Sequence, residues 1–218
     1  LDYLGGFDAA VAHVGGSAEA IAEIRNQGIK DLDQFYNPTP YRRINERYAP
    51  HNMYTSLAGL LELQKSKGFT SNYTGFSRKG KEAPATTPTA KTIDLVISGF
   101  LYNVHYDYDA ATNSYKRSEG GKPHVDERSG VQLSPKVVAV LVVPQGINSD
   151  GIHTTYESIG SGKLFLFQDG TVTEGIWEKT DRKSQLRFGD TNGAPLAINA
   201  GQTWVSLIGT AGSASYAP

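Results

Sequence analysis

The chain has 218 residues, with 21 Lys and Arg against 22 Asp and Glu and a formal net charge of -1. That balance excludes a whole-molecule electrostatic footprint for nucleic acid or acidic membranes, and the absence of cysteine excludes disulfides, thiolate zinc sites, iron–sulfur clusters and a cysteine nucleophile. No apolar run reaches the roughly 20 residues of a membrane-spanning helix, and a chain of this length can bury roughly 70% of its unfolded surface, enough for one large domain or two small ones.

Taken in chain order, the elements predict an α+β fold, an N-terminal αβ part followed by a mostly antiparallel β domain. Leu1-Asp2-Tyr3-Leu4 opens abruptly in apolar sequence, which reads as a trimmed start. Leu4 to Val14 predicts a short strand centred on Ala9 to Val14 and stopped by Gly15-Gly16. Ser17 is placed to cap a helix from Ala18 to Gln27, with Ala20, Ile21 and Ile24 on one face and Gly28 as its stop. Asp31 to Asn52 carries Pro38, Pro40 and Pro50 among aromatics and arginines and reads as a loop. A second helix is expected from about Ser56 to Lys67, where Leu57, Leu60, Leu61 and Gln64 follow a helical period and Gly68 ends it. These elements define an N-terminal part over residues 1–76. Residues 77–91 (SRKGKEAPATTPTAK) hold no large apolar side chain and read as a linker or exposed loop.

From residue 92 to 210 the texture is β. Nine strand-like stretches are separated by turn signals such as Asp169-Gly170 and Asn199-Ala200-Gly201. Val137 to Val143 is apolar throughout, the pattern of a strand buried on both faces. Residues 211–218 are small and polar and read as a flexible tail.

Three places could carry chemistry. Strand alternation puts His105 and Asp107 on one face, and His124 and Asp126 form a second alternating pair after a Gly-Gly-Lys-Pro turn. Side by side, the two pairs would offer nitrogen and oxygen donors for a divalent metal, or an acid–base set; the competing reading is that His124 and Asp126 hold a turn with Arg117 or Arg128. His13-Val14-Gly15-Gly16-Ser17 runs from a strand end into a helix N-terminus, where free N–H groups favour an anion. Arg42, Arg47, His51 and Asn52 lie in the loop that follows, among tyrosines, and such a loop can grip a carboxylate or phosphate or stack on a sugar. The competing reading pairs these arginines with Asp31, Asp33 and Glu46. Gly160-Ser161-Gly162-Lys163 looks like part of a phosphate loop but lies between two predicted strands with no helix behind it, which removes that reading. There is no Gly-x-Ser-x-Gly elbow and no His-Glu-x-x-His, so no catalytic residue can be assigned.

Several motifs then fall into one order: Val11-Ala12-His13-Val14-Gly15-Gly16-Ser17, Ala49-Pro50-His51-Asn52-Met53, Tyr106-Asp107-Tyr108-Asp109, Pro123-His124-Val125-Asp126, Gly175-Ile176-Trp177 and Gly201-Gln202-Thr203-Trp204. This order resembles the YerB-like family of bacterial lipoproteins, a two-domain family of unknown function, over nearly the whole chain. The resemblance implies an extracytoplasmic protein, lipid-anchored to the bacterial cell membrane through a segment upstream of Leu1. It transfers no activity. The function expected is therefore a binding or interaction module of the cell envelope, whose ligand is anionic or carbohydrate-like and is held by His13, Ser17, Arg42, Arg47, His51, Asn52 and Arg117 in the cleft between the two parts. Its partners would be an envelope glycan, an anionic small molecule, an envelope protein or its own cleaved N-terminal segment, and not nucleic acid. The alternative is a metal-assisted envelope hydrolase built on His105, Asp107, His124 and Asp126, with a divalent metal as the one cofactor for which donors are at hand.

Overall fold

The computed structural model describes residues 2–149 and 151–218, so the reading of Leu1 lies outside the described residues. The chain divides into two compact units, one running to Gly75 with Arg182–Gln185 added, the other formed by Phe76–Asp181 and Leu186–Pro218. The fold is α+β, with the α-helices in the first unit and the two larger sheets in the second.

In the first unit, α1 (Asp2–Gly6) occupies the start of the stretch expected to be a strand. Extended backbone begins only afterwards. Val11 N–H donates to Lys30 O, Leu32 N–H to Val11 O and Gln34 N–H to His13 O, at 2.8, 2.9 and 3.0 Å, so residues 11–13 run parallel to 30–34. Between them lies α2 (Ala18–Asn26), where Ser17 Oγ accepts from Ala20 N–H, a cap that contributes about 1 kcal/mol. Gly28 follows with φ +64, the left-handed conformation that ends helices on glycine. The 31–52 stretch is more ordered than its prolines suggest: β1 (Tyr41–Arg43) pairs antiparallel with β2 (Met53–Thr55), Tyr41 opposite Thr55 and Arg43 opposite Met53. Ser56 then caps α3 (Leu57–Ser66) through Gly59 N–H.

The second unit contributes β3 (Thr92–Leu95), β4 (Val104–Asp109), β5 (Ser114–Glu119), β6 (Lys122–Pro123), β7 (Val137–Val142), β8 (Gln145–Ile147) and β9 (Thr154–Tyr156). It continues with β10 (Gly160–Gln168), β11 (Thr171–Lys179), β12 (Arg187–Gly189), β13 (Thr203–Ile208) and β14 (Ala214–Ala217). Two five-stranded sheets result, in the orders β14-β3-β4-β5-β6 and β12-β11-β10-β7-β13, with a separate β8-β9 hairpin. Among these strands every pairing is antiparallel except β13 with β7. Ile93, Leu95, Val104, Tyr106 and Tyr115 from the first sheet meet Val138, Val140, Phe165, Phe167 and Ile208 from the second in one core, which makes this unit a sandwich. Val137 to Leu141 is buried at every residue, as its unbroken apolar run requires.

Local chemistry explains the register. Gly162 stands opposite Trp177, whose indole N–H donates 2.8 Å to Val142 O; a Cβ at Gly162 would come within 2.6 Å of that carbonyl. The Gly-Ser-Gly-Lys stretch is thus a strand making room for a tryptophan. Asp169 and Gly170 take φ +58 and +74 between β10 and β11, the two positive values a two-residue hairpin turn demands. Asp169 is buried: Oδ2 accepts from Lys79 Nζ at 2.6 Å, and Oδ1 accepts from Asn113 Nδ2 and Asn199 Nδ2 at 2.8 and 2.7 Å.

That carboxylate recasts the segment 77–91. Lys79 binds it, Ala85 N–H donates to Asp169 O, Thr89 and Ala90 N–H donate to Gly170 O, and Ala90 is fully buried. The segment belongs to the second unit and is held to it by backbone bonds; its lack of apolar side chains hid this because main-chain groups and one lysine make the attachment. The C-terminal stretch departs from expectation for a similar reason. β14 completes a sheet against β3, from Ala214 opposite Leu95 to Ala217 opposite Thr92, and Tyr216 sets its ring edge-on to Phe165 and Phe167.

Candidate functional site

The parallel run of residues 11–13 beside 30–34 aligns side chains with a period of two, which turns His13, Asp31 and Asp33 to one side while Leu32 packs into the unit's interior. His13 Nδ1 lies 2.9 Å from Gly15 O, and Nε2 lies 2.9 Å from Asp31 Oδ1. Asp31 Oδ1 also accepts from Asp33 N–H at 2.8 Å; Asp33, only 3% exposed, accepts from Phe35 N–H at 3.0 Å. One ligand atom from each of His13, Asp31 and Asp33 falls within 4.8 Å of the others, the one such metal-capable group among the described residues. The two carboxylates also act on Tyr41, whose phenol is raised above its usual value by burial and then by Asp33 and Asp31.

The chain leaves this ladder into an exposed aromatic and cationic face. Phe35 and Tyr36 stand out to solvent, with the Arg25 guanidinium 5.3 Å above the Tyr36 ring. The hairpin loop between β1 and β2 is tied at its neck, where Ile44 N–H donates to Asn52 O and Asn52 Nδ2 to Ile44 O, and Arg43 donates to Asn52 Oδ1 at 2.6 Å. Beyond the neck, Arg47, Tyr48 and His51 are exposed, Tyr48 by 94%, and Arg42 is exposed on β1. Three arginines and one histidine share residues 41–52 with a single acid, Glu46. Asp31 and Asp33 are engaged by His13 and by backbone N–H groups.

The other candidates of this unit have structural duties. Ser17 is the helix cap, and Asn52 is the neck of the loop. A cavity of about 370 Å³ opens beside Lys30, yet that ammonium is held by the Asp8 carboxylate, by Asp8 O at 2.9 Å and by Thr70 O. Its principal cation is already committed to its own wall.

In the second unit the His105, Asp107, His124 and Asp126 group does not assemble. His105 lies on the exposed face of β4, beside Tyr106, which points into the core. Arg117 stands opposite Tyr106 in the register and shares the inner face, and His124 Nδ1 accepts from the Arg117 guanidinium. The two histidines therefore occupy opposite faces of one sheet. Asp126 caps a turn instead, accepting from Ser129 N–H and Oγ at 2.7 and 2.8 Å, which holds its carboxyl below the usual range. His105 has its own partners, Asp94 on Nδ1 at 2.7 Å and Asp107 on Nε2 at 3.2 Å. Burial works to lower its pKa, but these two carboxylates outweigh burial and raise it.

Arg117, expected at a ligand, is buried 4.1 Å over the Trp204 ring and bonded to Glu119 at 2.7 Å. It lies in a different unit from the other expected binding residues and serves the sandwich. What sequence reasoning missed was the pair Asp31 and Asp33. Their alternation about Leu32 was the available signal, concealed because the whole stretch read as loop.

Family models place the chain. The N-terminal domain of a protein of unknown function (DUF3048) matches residues 1–70, and the C-terminal domain of the same description matches residues 93–205. Among solved structures, the YerB protein from Bacillus subtilis is similar with a TM-score of 0.81 at 21% identity, covering 100% of this chain and 73% of that one. At that identity the likeness concerns the fold. No protein of curated function matches the sequence.

Proposed function

The chain belongs to the YerB-like DUF3048 family of proteins of unknown function, and we propose that it is an extracytoplasmic binding module of a bacterial cell envelope whose ligand is an anionic glycan. In the full-length protein a lipid anchor outside this chain would hold the module at the membrane. The observation that carries the reading is the β1–β2 loop, where Tyr48 projects almost wholly into solvent among Arg42, Arg47 and His51. At 94% exposure the Tyr48 ring buries almost no area within the fold. A tyrosine there supplies a flat apolar face for a sugar ring and a polar tip, at low entropic cost on binding. Guanidinium groups of the same hairpin, on Arg42 and Arg47, match carboxylate or phosphate oxygens in two-point geometry. The neck bonds of Ile44, Arg43 and Asn52 fix the loop beforehand, which reduces the ordering cost of association.

Isothermal titration calorimetry with a soluble anionic wall polysaccharide tests the reading, with a neutral glycan of the same length as control. Binding should weaken with salt and drop at least about tenfold in Tyr48→Ala, the loss of roughly 1.4 kcal/mol. Equal binding of the neutral glycan, or an unaltered affinity in Tyr48→Ala, would contradict it.

A further inference from the structure

We infer that β13 is the surface through which two copies of this chain pair, edge to edge and antiparallel about a two-fold axis at Val205. The inference does not rest on the glycan reading. Its foundation is the hydrogen bonding of β13, the last strand of its sheet. Lys136 N–H donates to Gln202 O at 2.9 Å and Val143 N–H to Ile208 O at 2.9 Å, in a parallel register that sets Thr203 opposite Val137 and Ile208 opposite Val142. Main-chain groups alternate in direction along a strand, so Gln202, Trp204, Ser206 and Ile208 turn theirs toward β7. Thr203, Val205 and Leu207 turn theirs away. Their N–H and C=O groups have no hydrogen-bond partner among the described residues.

The other edges of the two five-stranded sheets are blunted in ways that β13 is not. β6 is two residues long and contains Pro123, which cannot donate to a further strand. β12 is three residues long and carries Arg187, and Gly189 is already bridged by Pro195 while Phe188 O accepts from Leu196 N–H. β14 is four residues long and runs directly into Pro218. Short length, charge and proline are the means by which proteins keep an edge from recruiting another strand. β13 is six residues long, Thr-Trp-Val-Ser-Leu-Ile, and has none of them.

The second copy is the occupant because the strand is its own complement. Antiparallel pairing centred on Val205 sets Thr203 opposite Leu207 of the second copy and Val205 opposite its own equivalent. Every outward N–H of one chain then meets an outward C=O of the other. Residues 191–218 carry no charged side chain at all, so neither the strand nor its flanks bring like charges together across the axis. Val205 and Leu207, half-buried on the face opposite Trp204 and Ile208, gain apolar neighbours from the facing strand. One strand edge is a small contact, so a dimer dissociating in the micromolar range is expected.

Sedimentation velocity of the whole chain, from low micromolar to high micromolar concentration, should show monomer passing to dimer. Val205→Pro removes the central outward N–H, which makes no bond within one chain, and should raise the dissociation constant at least about tenfold. Val205→Lys and Val205→Glu each set like charges opposite one another at the axis and should be monomeric alone, whereas their mixture should form a heterodimer. Far-UV circular dichroism of each variant establishes that it is folded. Hydrogen exchange of the wild type needs no variant: the amides of Thr203, Val205 and Leu207 should become protected as concentration rises. A wild type that stays monomeric, a dimer indifferent to Val205→Pro, folded Lys and Glu variants that do not pair on mixing, or a dimer that leaves these three amides unprotected would each overturn the assignment.

Discussion

Asp169→Asn isolates the charge that fastens the 77–91 segment to the sandwich. Asparagine tolerates the left-handed backbone at φ +58 and matches aspartate in volume, so the turn and the packing survive. The electrostatics do not. Asn113 and Asn199 both donate to Oδ1, so the amide oxygen stays with them and the new NH₂ faces the Lys79 ammonium, donor against donor, where a 2.6 Å charge-assisted bond stood. Lys79 keeps about a quarter of its side chain in solvent and can swing out, which limits the loss to the bond itself. A hydrogen bond to a charged group contributes about 1.5–3 kcal/mol, so urea unfolding at pH 7 should show a loss of about 2–3 kcal/mol, or a melting temperature lower by roughly 4–12 °C. The loss must also depend on pH. Burial alone would raise the pKa of Asp169, but the bonds from Lys79, Asn113 and Asn199 outweigh it and hold the group below its usual 3.8. The stabilisation is fully present above that unfolded value and disappears as pH falls through the lower folded value. Wild type and variant should therefore converge as pH falls through that folded value. A difference under about 0.5 kcal/mol at pH 7, or one that persists unchanged at pH 2, would refute the reasoning.

Arg42→Ala combined with His51→Ala should leave the melting temperature within about 1 °C, because both are surface side chains without side-chain partners among the described residues, while abolishing glycan binding in calorimetry; a large loss of stability would make them structural. Gly175→Ala should destabilise by about 1–3 kcal/mol in denaturant unfolding, since its Cβ would lie 2.2 Å from Gly189 O across the β11–β12 pair; a neutral result would mean that β12 is free to move. Titrating His105 by NMR should give a pKa above 6.5 in the wild type and a lower one in Asp94→Asn. Any stability from this exposed group is present below about 6.5 and lost as pH rises through the folded value. An Asp94→Asn chain with the wild-type pKa would show that the Asp94 bond does not form in solution.

Where periodicity and capping agree, the chain could be read directly. Ser17 caps the helix it announces, Asp169-Gly170 makes its hairpin, and the run from Val137 is the buried strand its composition describes, every residue to Leu141 inside. The order of motifs around His13, His51 and Pro123-His124 placed the family. Errors arose where tertiary partners decide. Leu4 to Gly6 is helical although the apolar stretch reads as strand. The 77–91 segment is a mostly exposed loop, as one of its two readings has it, but its attachment to the second unit, like the last four-residue strand, is fixed by main-chain bonds, which no side-chain pattern records. His105 and His124 could be paired on paper because strand alternation assigns a face only relative to its own strand. Which faces coincide depends on register, and the Tyr106–Arg117 pair sets His124 on the Arg117 face of the sheet and His105 on the other.

The most direct test of the central claim is an NMR titration of the whole chain with the anionic wall glycan, following every backbone amide. The account predicts that the largest shifts fall in residues 35–52, centred on Tyr48. Shifts confined to the sandwich of residues 92–217, or none at saturating glycan, would contradict it.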